Sequence, residues 1–96
     1  GVNYTDCEKN GIFLPVVEAH ARYASPARYD ELLIIQVVVS ELGRGSLKFL
    51  YRILEKESRR KIVEGYTVHA FVGANLRPMR VPDEVRAKLV IQNLPE

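Results

Sequence analysis

The longest apolar run of the chain lies between residues 32 and 42 and predicts a β-strand. Apart from Gln36, Ser40 and Glu41, every position in this run is apolar. Because neighbouring residues of a strand point to opposite faces of a sheet, both faces of this strand are expected to be covered. The pattern therefore predicts a strand in the middle of a sheet, around which the other strands are ordered.

Three further segments predict strands by their apolar and polar alternation, namely residues 12–23, 46–56 and 61–72. The turns between the last three strands are predicted at residues 42–45 and 57–60, where the first contains two glycines. Gly65 interrupts the fourth strand and predicts either a bulge or a close approach of two backbones. Since the connections are short, the four strands are expected to run antiparallel.

The alternation also predicts which side chains share a face. The third strand is expected to present an aromatic and aliphatic face made of Leu47, Phe49, Tyr51 and Ile53. The fourth strand is expected to have an apolar face that contains Ile62, Tyr66, Val68, Ala70 and Val72. Two apolar faces side by side require a covering element.

Short helices are predicted near both ends of the chain. Residues 5–8 (TDCE) fit a capping box, which predicts a helix over about residues 6–10 that ends at Gly11. Pro82 stands where a first helical residue is favoured, and Asp83 and Glu84 follow it, which predicts a helix over residues 82–91. Two helices of this length are too short to cover the apolar face of a four-stranded sheet.

Composition narrows the class of protein. The 96 residues fit one domain, and no apolar run approaches the ~20 residues that a membrane-spanning helix needs. No secretory signal is visible, and a single cysteine cannot form an internal disulfide, which favours a reducing, cytoplasmic compartment. A net charge of +2 gives no argument for nucleic acid. His20 and His69 lack the spacing of metal ligands, so no metal site is predicted.

Four segments carry a family resemblance: residues 13–19 (FLPVVEA), 23–31 (YASPARYDE), 44–47 (RGSL) and 77–82 (RPMRVP). Together they resemble the hotdog-fold acyl-CoA thioesterases, and in particular the 4-hydroxybenzoyl-CoA thioesterase and YbgC-like group. The resemblance implies an α+β hotdog fold, in which a curved antiparallel sheet wraps around a long central helix. It also implies homodimers or homotetramers.

The resemblance implies a catalytic motif upstream of these segments, an aspartate followed by a Gly-x-Val run and a tyrosine. Asp6 does not match it, because neither the run nor the tyrosine follows. The expectation is therefore a single hotdog domain over residues 1–96 that lacks its first strand and most of its central helix. No catalytic residue is assigned within the chain, and the missing helix would be the element that covers the apolar face.

The resemblance also places the nucleotide end of coenzyme A near the first hairpin, at Arg44, Gly45 and Ser46. A guanidinium can fork onto phosphate oxygens, and glycine lets a backbone come close to them. A second candidate for phosphate contacts is the basic turn with Arg59 and Arg60. Both sets can also be ordinary solvated turns, and the basic turn is more often that.

Three functions follow from the sequence. The first is an acyl-CoA thioesterase that releases free acid and coenzyme A, with the thioester as substrate and no cofactor, the 96-residue chain by itself being inactive. The second is a non-catalytic hotdog module that binds acyl-CoA or acts in assembly. The third, a basic β-domain that binds nucleic acid, is disfavoured because the strand aromatics share faces with aliphatic residues instead of forming a stacking platform.

Overall fold

The computed structural model describes residues 11–95. Four strands make up most of this part, β1 (Val16–Tyr23), β2 (Leu33–Leu42), β3 (Ser46–Glu55) and β4 (Lys61–Ala70). A 3₁₀ turn, Ala74–Leu76, and one α-helix, α1 (Asp83–Lys88), follow. The helix expected over residues 6–10 lies outside the described residues.

All strand pairs are antiparallel, and the sheet has the order β1-β4-β3-β2. The prediction of a four-stranded antiparallel sheet is thus confirmed. In the middle of the sheet Gly65 of β4 lies between Ala21 of β1 and Tyr51 of β3. Two residues further along β4, Thr67 lies in the same way between Ala19 of β1 and Phe49 of β3.

The predicted central position of residues 32–42 is wrong, because β2 is an edge strand and β3 and β4 hold the centre. Apolarity on both faces reports what lies above and below a strand, and it carries no information about what lies beside it. One face of β2 is in fact open, since Leu33, Ile35 and Val37 are exposed. At its outer edge the Val39 carbonyl accepts a hydrogen bond from the Gln92 amide.

The two faces of the sheet differ in chemistry. We call the inner face the one whose central residues are small, aliphatic or aromatic: Ala19, Ala21, Tyr23, Leu33, Ile35, Val37, Phe49, Tyr51, Ile53, Val63, Gly65, Thr67 and His69. The opposite, outer face mixes aliphatic with charged side chains, among them Glu18, Lys48, Arg52 and Glu64. On the inner face Ile35 is 66% exposed and Tyr23 is 80% exposed.

The packed core lies at the end of the sheet where the β2–β3 hairpin turns. Leu47, Phe71, Val81 and Val85 are buried together there. The helix α1 contributes Val85, and Leu89 just beyond it packs against the same cluster. The predicted helix is correct in place, but it ends at Lys88 instead of residue 91, because Ile91 is extended and bridges to Val39. Within residues 11–95 no helix is long and apolar enough to cross a membrane.

Gly65 marks a close approach of two backbones, which confirms one of the two predictions made for it. A Cβ atom built on Gly65 would lie 2.1 Å from the His20 carbonyl oxygen and 3.1 Å from the Ala21 Cα. The three register shifts of the sheet lie elsewhere, between Val16 and Glu18, between Val39 and Glu41, and between Ile53 and Leu54. The absence of a side chain at this position therefore allows β1 to lie as close to β4 as it does.

Candidate functional site

The β2–β3 hairpin presents Arg44 to solvent. Gly43 and Ser46 close the turn through a 2.8 Å hydrogen bond, which leaves Arg44 and Gly45 at its tip. The Arg44 side chain is exposed, and no hydrogen bond or ion pair joins its guanidinium to another residue within 11–95. This arginine can therefore receive an anion without first breaking a contact to the described part of the chain.

The backbone of the hairpin tip is fixed by the loop that precedes α1. The Val81 amide donates to the Arg44 carbonyl and the Phe71 amide donates to the Gly45 carbonyl, each over 2.8 Å. A Cβ atom on Gly45 would lie 2.8 Å from the Met79 carbonyl oxygen. Gly45 is thus needed for the contact between hairpin and loop, and this contact holds Arg44 in a defined place.

Arg86 is a second cation at this hairpin, which the sequence did not reveal. Its Nη2 donates to the Gly43 carbonyl over 2.9 Å. The signal available in sequence was a basic residue in the last turn of a short helix, which is common and unspecific. Arg86 thus joins the helix to the hairpin that carries Arg44, while Asp83 and Glu84 begin the same helix.

At the β3–β4 turn the arginine side chains have different surroundings. The Arg60 guanidinium donates to both carboxylate oxygens of Glu31 over 2.9 Å, and also to the Ser25 hydroxyl and the Pro26 carbonyl. It ties this turn to the β1–β2 connection. Arg59 is exposed and adopts a φ of 63°. Arg59 is therefore the member of the predicted pair that is available to an anion.

The same turn is closed by a hydrogen-bonded carboxylate. Glu55 accepts hydrogen bonds from the Ser58 hydroxyl over 2.7 Å and from the Ser58 and Glu57 amides. These bonds, above all the one from the Ser58 hydroxyl, lower the pKa of Glu55 from its ordinary value of 4.5. The ionised carboxylate closes the turn, so we assign Glu55 a structural role.

The two predicted phosphate-binding groups lie at opposite ends of the sheet. Arg44 precedes β3 and Arg59 follows it, and β3 has ten residues. At a rise of ~3.3 Å per residue the strand alone separates them by about 30 Å. The structure thus does not bring Arg44, Gly45 and Ser46 together with Arg59 and Arg60, and one phosphate group cannot contact both sets in one chain.

The inner face carries a shallow depression of ≈ 420 Å³ between the hairpin and the β3–β4 turn. Ala19, Ala21 and Gly65 form its floor, because none of them projects a side chain beyond Cβ. Larger side chains of β3 and β4 surround this floor, namely Tyr51, Ile53, Val63 and Thr67. A flat, mostly apolar surface of this kind favours a covering apolar element.

A row of hydrogen bonds runs along one side of this depression. The Tyr51 hydroxyl lies 3.0 Å from Thr67 Oγ1, and Thr67 Oγ1 lies 2.9 Å from His69 Nε2. His69 Nδ1 in turn lies 2.9 Å from the Leu14 carbonyl oxygen. The Phe49 ring packs edge-on against the imidazole with a centroid distance of 5.2 Å. We call Tyr51, Thr67 and His69 the polar row.

The outer face places its own titratable groups together, and two of them, His20 and Tyr66, also border the depression. His20 stacks on Tyr66, and the Lys48 ammonium lies 4.3 Å from the centre of the Tyr66 ring. A hydrogen bond to Glu18 raises the pKa of Tyr66 above 10.0. Within residues 11–95 no three metal-ligating side chains come together.

A family model decides the identity of this fold. The model of the thioesterase-like superfamily matches residues 1–89. The chain belongs to the thioesterase-like superfamily. The expected α+β hotdog class is thereby confirmed, with the curved antiparallel sheet present and little helix among the described residues.

Solved structures of similar proteins agree with this membership. A hypothetical protein from Thermus thermophilus is 30% identical, with a TM-score of 0.80 over 90% of this chain and 64% of that one. A DHNA-CoA thioesterase from Staphylococcus aureus is 26% identical, with a TM-score of 0.79 over 92% of this chain and 63% of that one. Our chain thus spans a little under two thirds of each of these two structures.

A longer relative is also named as a thioesterase. A chloroplastic acyl-acyl carrier protein thioesterase from Arabidopsis thaliana is 22% identical over 90 residues, which are 94% of this chain and 47% of that protein. The superfamily member described here therefore spans about half the length of that relative.

Proposed function

We propose that this thioesterase-superfamily protein hydrolyses the thioester bond of an acyl-CoA and releases the free acid and coenzyme A. The observation that carries the proposal is the superfamily match over residues 1–89. Thioesterase-named proteins among its relatives, such as the DHNA-CoA thioesterase, support it. Since the chain has no aspartate followed by a Gly-x-Val run, the carboxylate that attacks the thioester or activates water is proposed to come from a segment ahead of Gly1.

The depression on the inner face is the proposed seat of the central helix that the resemblance places ahead of Gly1. Its small-residue floor leaves room above the sheet, and its mostly apolar lining favours an apolar element that excludes water. The proposal includes a cytoplasmic location, because a single cysteine cannot form an internal disulfide and this fits a reducing compartment. The finer assignment to the 4-hydroxybenzoyl-CoA and YbgC-like group rests on the sequence segments named above.

Arg44 is the proposed contact for a phosphate of coenzyme A. Its guanidinium is exposed and has no described partner, and the backbone contacts of Gly45 fix its position. Arg59, at the other end of the sheet, is the second candidate. We favour Arg44 because Arg60, the neighbour of Arg59, already uses its guanidinium on Glu31.

Substitution of Arg44 by alanine is expected to raise the Kd for coenzyme A about tenfold. A hydrogen bond to a charged group contributes ~1.5–3 kcal/mol, and the exposed position argues for the lower end. Titration calorimetry with coenzyme A measures the change, and pantetheine, which lacks the phosphates, should bind both proteins equally. Arg59→Ala is the matched control. If Arg59→Ala weakens binding and Arg44→Ala does not, the phosphate site lies at the β3–β4 turn.

The second candidate function is not enzymatic: a hotdog module that only binds acyl-CoA or assembles. The absence of the aspartate motif from residues 1–96 favours it. It uses the same hairpin for the phosphates of coenzyme A. It differs from the first proposal in one measurable respect, because the intact protein would bind acyl-CoA without turnover.

We further propose that the populated state is a dimer or a larger assembly of this chain, with acyl-CoA between subunits. Every residue of β1 is exposed, and its outer edge pairs with no other described strand. On the inner face Ile35 and Tyr23 remain largely open. Burial of one Val, Leu or Ile side chain contributes ~1.5–3 kcal/mol, so a few of them outweigh the ~5–15 kcal/mol stability of a typical domain.

Sedimentation velocity at micromolar concentration is expected to show this dimer or larger species. Val17→Lys, which adds a charge to the exposed β1 edge, should shift the distribution towards monomer, since edge lysines oppose strand pairing. Leu76→Lys, at a similarly exposed apolar position of the loop, is the matched control and should leave the distribution unchanged. A cooperatively folded monomer of the unsubstituted chain would contradict the assembly proposal.

A further inference from the structure

A second recess, with a volume of ≈ 530 Å³, lies on the outer face of the sheet beside the β3–β4 turn. Its lining combines three cationic side chains with one amide and two apolar residues, namely Arg52, Arg59, Lys61, Gln36, Leu54 and Pro95. We call it the outer recess. The covering helix is proposed for the inner face and the subunit contact for β1, which is the edge of the sheet opposite β2. Neither of them occupies the outer recess.

The Arg52 guanidinium has one edge committed to the chain and one edge without a partner. Its Nη1 donates to the Pro95 carbonyl, which ties the C-terminal segment to the outer face. Its Nε is buried and has no hydrogen-bond partner among residues 11–95. Nε and Nη2 form the edge of the planar group that can hold two oxygens of one anion side by side. Because a buried donor without a partner costs free energy, an oxyanion at this edge stabilises the fold.

Gln36 lies directly opposite Arg52 in the β2–β3 pair and adds a second polar group. Its Oε1 is also buried and without a partner in the part of the chain that the structure describes. Oε1 can only accept a hydrogen bond, whereas Arg52 Nε can only donate one. A ligand that satisfies both atoms therefore brings an oxyanion and a hydroxyl group close together.

The charges around the outer recess favour a phosphate over a singly charged anion. Arg52, Arg59 and Lys61 bring three positive charges to it. The Lys61 ammonium lies 3.0 Å from the Glu64 carboxylate, which offsets one of them. The two charges that remain match a phosphate monoester, which carries about −1.5 to −2 at pH 7.

We propose that the outer recess binds a sugar phosphate, either free or as part of a nucleoside monophosphate. Arg52 holds two phosphate oxygens, Arg59 adds its charge from the exposed turn, and Gln36 Oε1 accepts a hydrogen bond from a sugar hydroxyl. Leu54 and Pro95 form the apolar wall against which the sugar or a base packs. The volume lies within the ~300–1,000 Å³ that is typical of small-molecule sites.

This site is separate from the proposed contact for coenzyme A. Arg44 precedes β3, whereas Arg59 follows it, so the two sites lie at opposite ends of that strand. Both can be filled at the same time. Binding in the outer recess also does not require that the protein hydrolyses any thioester.

Titration calorimetry with the full-length protein at fixed ionic strength tests the site. The probes are ribose-5-phosphate, adenosine monophosphate, ribose and inorganic phosphate. We expect saturable binding of ribose-5-phosphate, weaker binding of inorganic phosphate, which brings no sugar hydroxyl, and no binding of ribose. Tighter binding of adenosine monophosphate than of ribose-5-phosphate identifies a nucleotide as the ligand, and equal or weaker binding identifies the sugar phosphate itself. Saturating ribose-5-phosphate should leave the Kd for coenzyme A unchanged.

Two charge-removing variants locate the phosphate. Arg52→Gln should raise the Kd for ribose-5-phosphate at least about tenfold, which is the effect of one hydrogen bond to a charged group. Arg22→Gln is the matched control, because Arg22 lies in the same row across the sheet, beyond Glu64, and does not line the recess. Its Kd should change less than about threefold, since salt screens charges that are far apart.

Two further variants separate binding from folding. Arg59→Ala, at an exposed turn position, should also weaken ribose-5-phosphate, while the binding of coenzyme A stays as it is. Gln36→Leu should remove the preference for ribose-5-phosphate over inorganic phosphate and leave the Kd for phosphate unchanged, which an unfolded variant could not do. The site is refuted if no phosphate probe binds saturably, if Arg22→Gln weakens binding as much as Arg52→Gln, or if ribose-5-phosphate displaces coenzyme A.

Discussion

The 96-residue chain assayed alone is expected to hydrolyse acyl-CoA at least ~10²-fold more slowly than a version that carries, ahead of Gly1, the aspartate motif that the resemblance implies. General-base catalysis by a positioned side chain contributes typically ~10²–10⁴-fold, and the aspartates of this chain, at positions 6, 30 and 83, lack the Gly-x-Val run that the resemblance requires. The measurement is release of coenzyme A from short aliphatic and aromatic acyl-CoAs.

Two controls locate the cause of this loss. The 96-residue chain should still bind coenzyme A through Arg44, which would show that its fold is intact. The longer version with its catalytic aspartate replaced by asparagine should fall towards the rate of the short chain. Equal turnover by the short and the long versions would contradict the proposal, because it would place the reacting carboxylate within residues 1–96.

The positions of the strands along the chain could be predicted from the sequence, whereas the order of the strands in the sheet could not. The alternation in β3 correctly assigned Leu47, Phe49, Tyr51 and Ile53 to one face. In contrast, the two-sided apolarity of β2 suggested a central strand, and the structure has an edge strand. Alternation with a period of two identifies the faces of a strand, but the order of strands depends on which edges pair, and that choice leaves little trace in one sequence.

The fourth strand shows a second limit. Tyr66 and Val68, predicted on an apolar face, point to the mixed outer side, and Thr67 and His69 point to the inner face. Because both faces of this strand contain apolar and polar residues, the pattern cannot state which one meets the apolar side of β3. The i, i+2 spacing of Thr67 and His69 was visible, but only the register brings Tyr51 to them.

Contacts between segments that are distant in the chain could not be predicted from the sequence either. The hairpin position of Arg44 was predicted, and so was the turn position of Arg59 and Arg60. The pairing of Arg60 with Glu31, 29 residues earlier, depends on the way the β1–β2 connection crosses the end of the sheet. In sequence Arg60 and Arg59 look equivalent, yet one is bound within the fold and the other is exposed.

Substitution of Gly65 by alanine is expected to destabilise the domain by about 3 kcal/mol, the upper part of the range for overpacking. The added Cβ would lie 2.1 Å from the His20 carbonyl oxygen, which is a backbone atom of β1 and cannot turn aside. The strands β1 and β4 would have to separate, which weakens their hydrogen bonds and disturbs the floor of the depression. For a domain of this size the melting temperature should fall by roughly 10–25 °C.

Thermal unfolding followed by circular dichroism measures this change, and hydrogen exchange of the β1 amides locates it. Gly73→Ala is the matched control, since a Cβ there would have only the Met79 sulfur nearby, at an ordinary 3.6 Å, and the backbone φ of −99° suits any residue. Gly73→Ala should therefore unfold close to wild type. If Gly65→Ala unfolds there as well, with β1 amides equally protected, then β1 and β4 do not approach as closely as the sheet geometry requires.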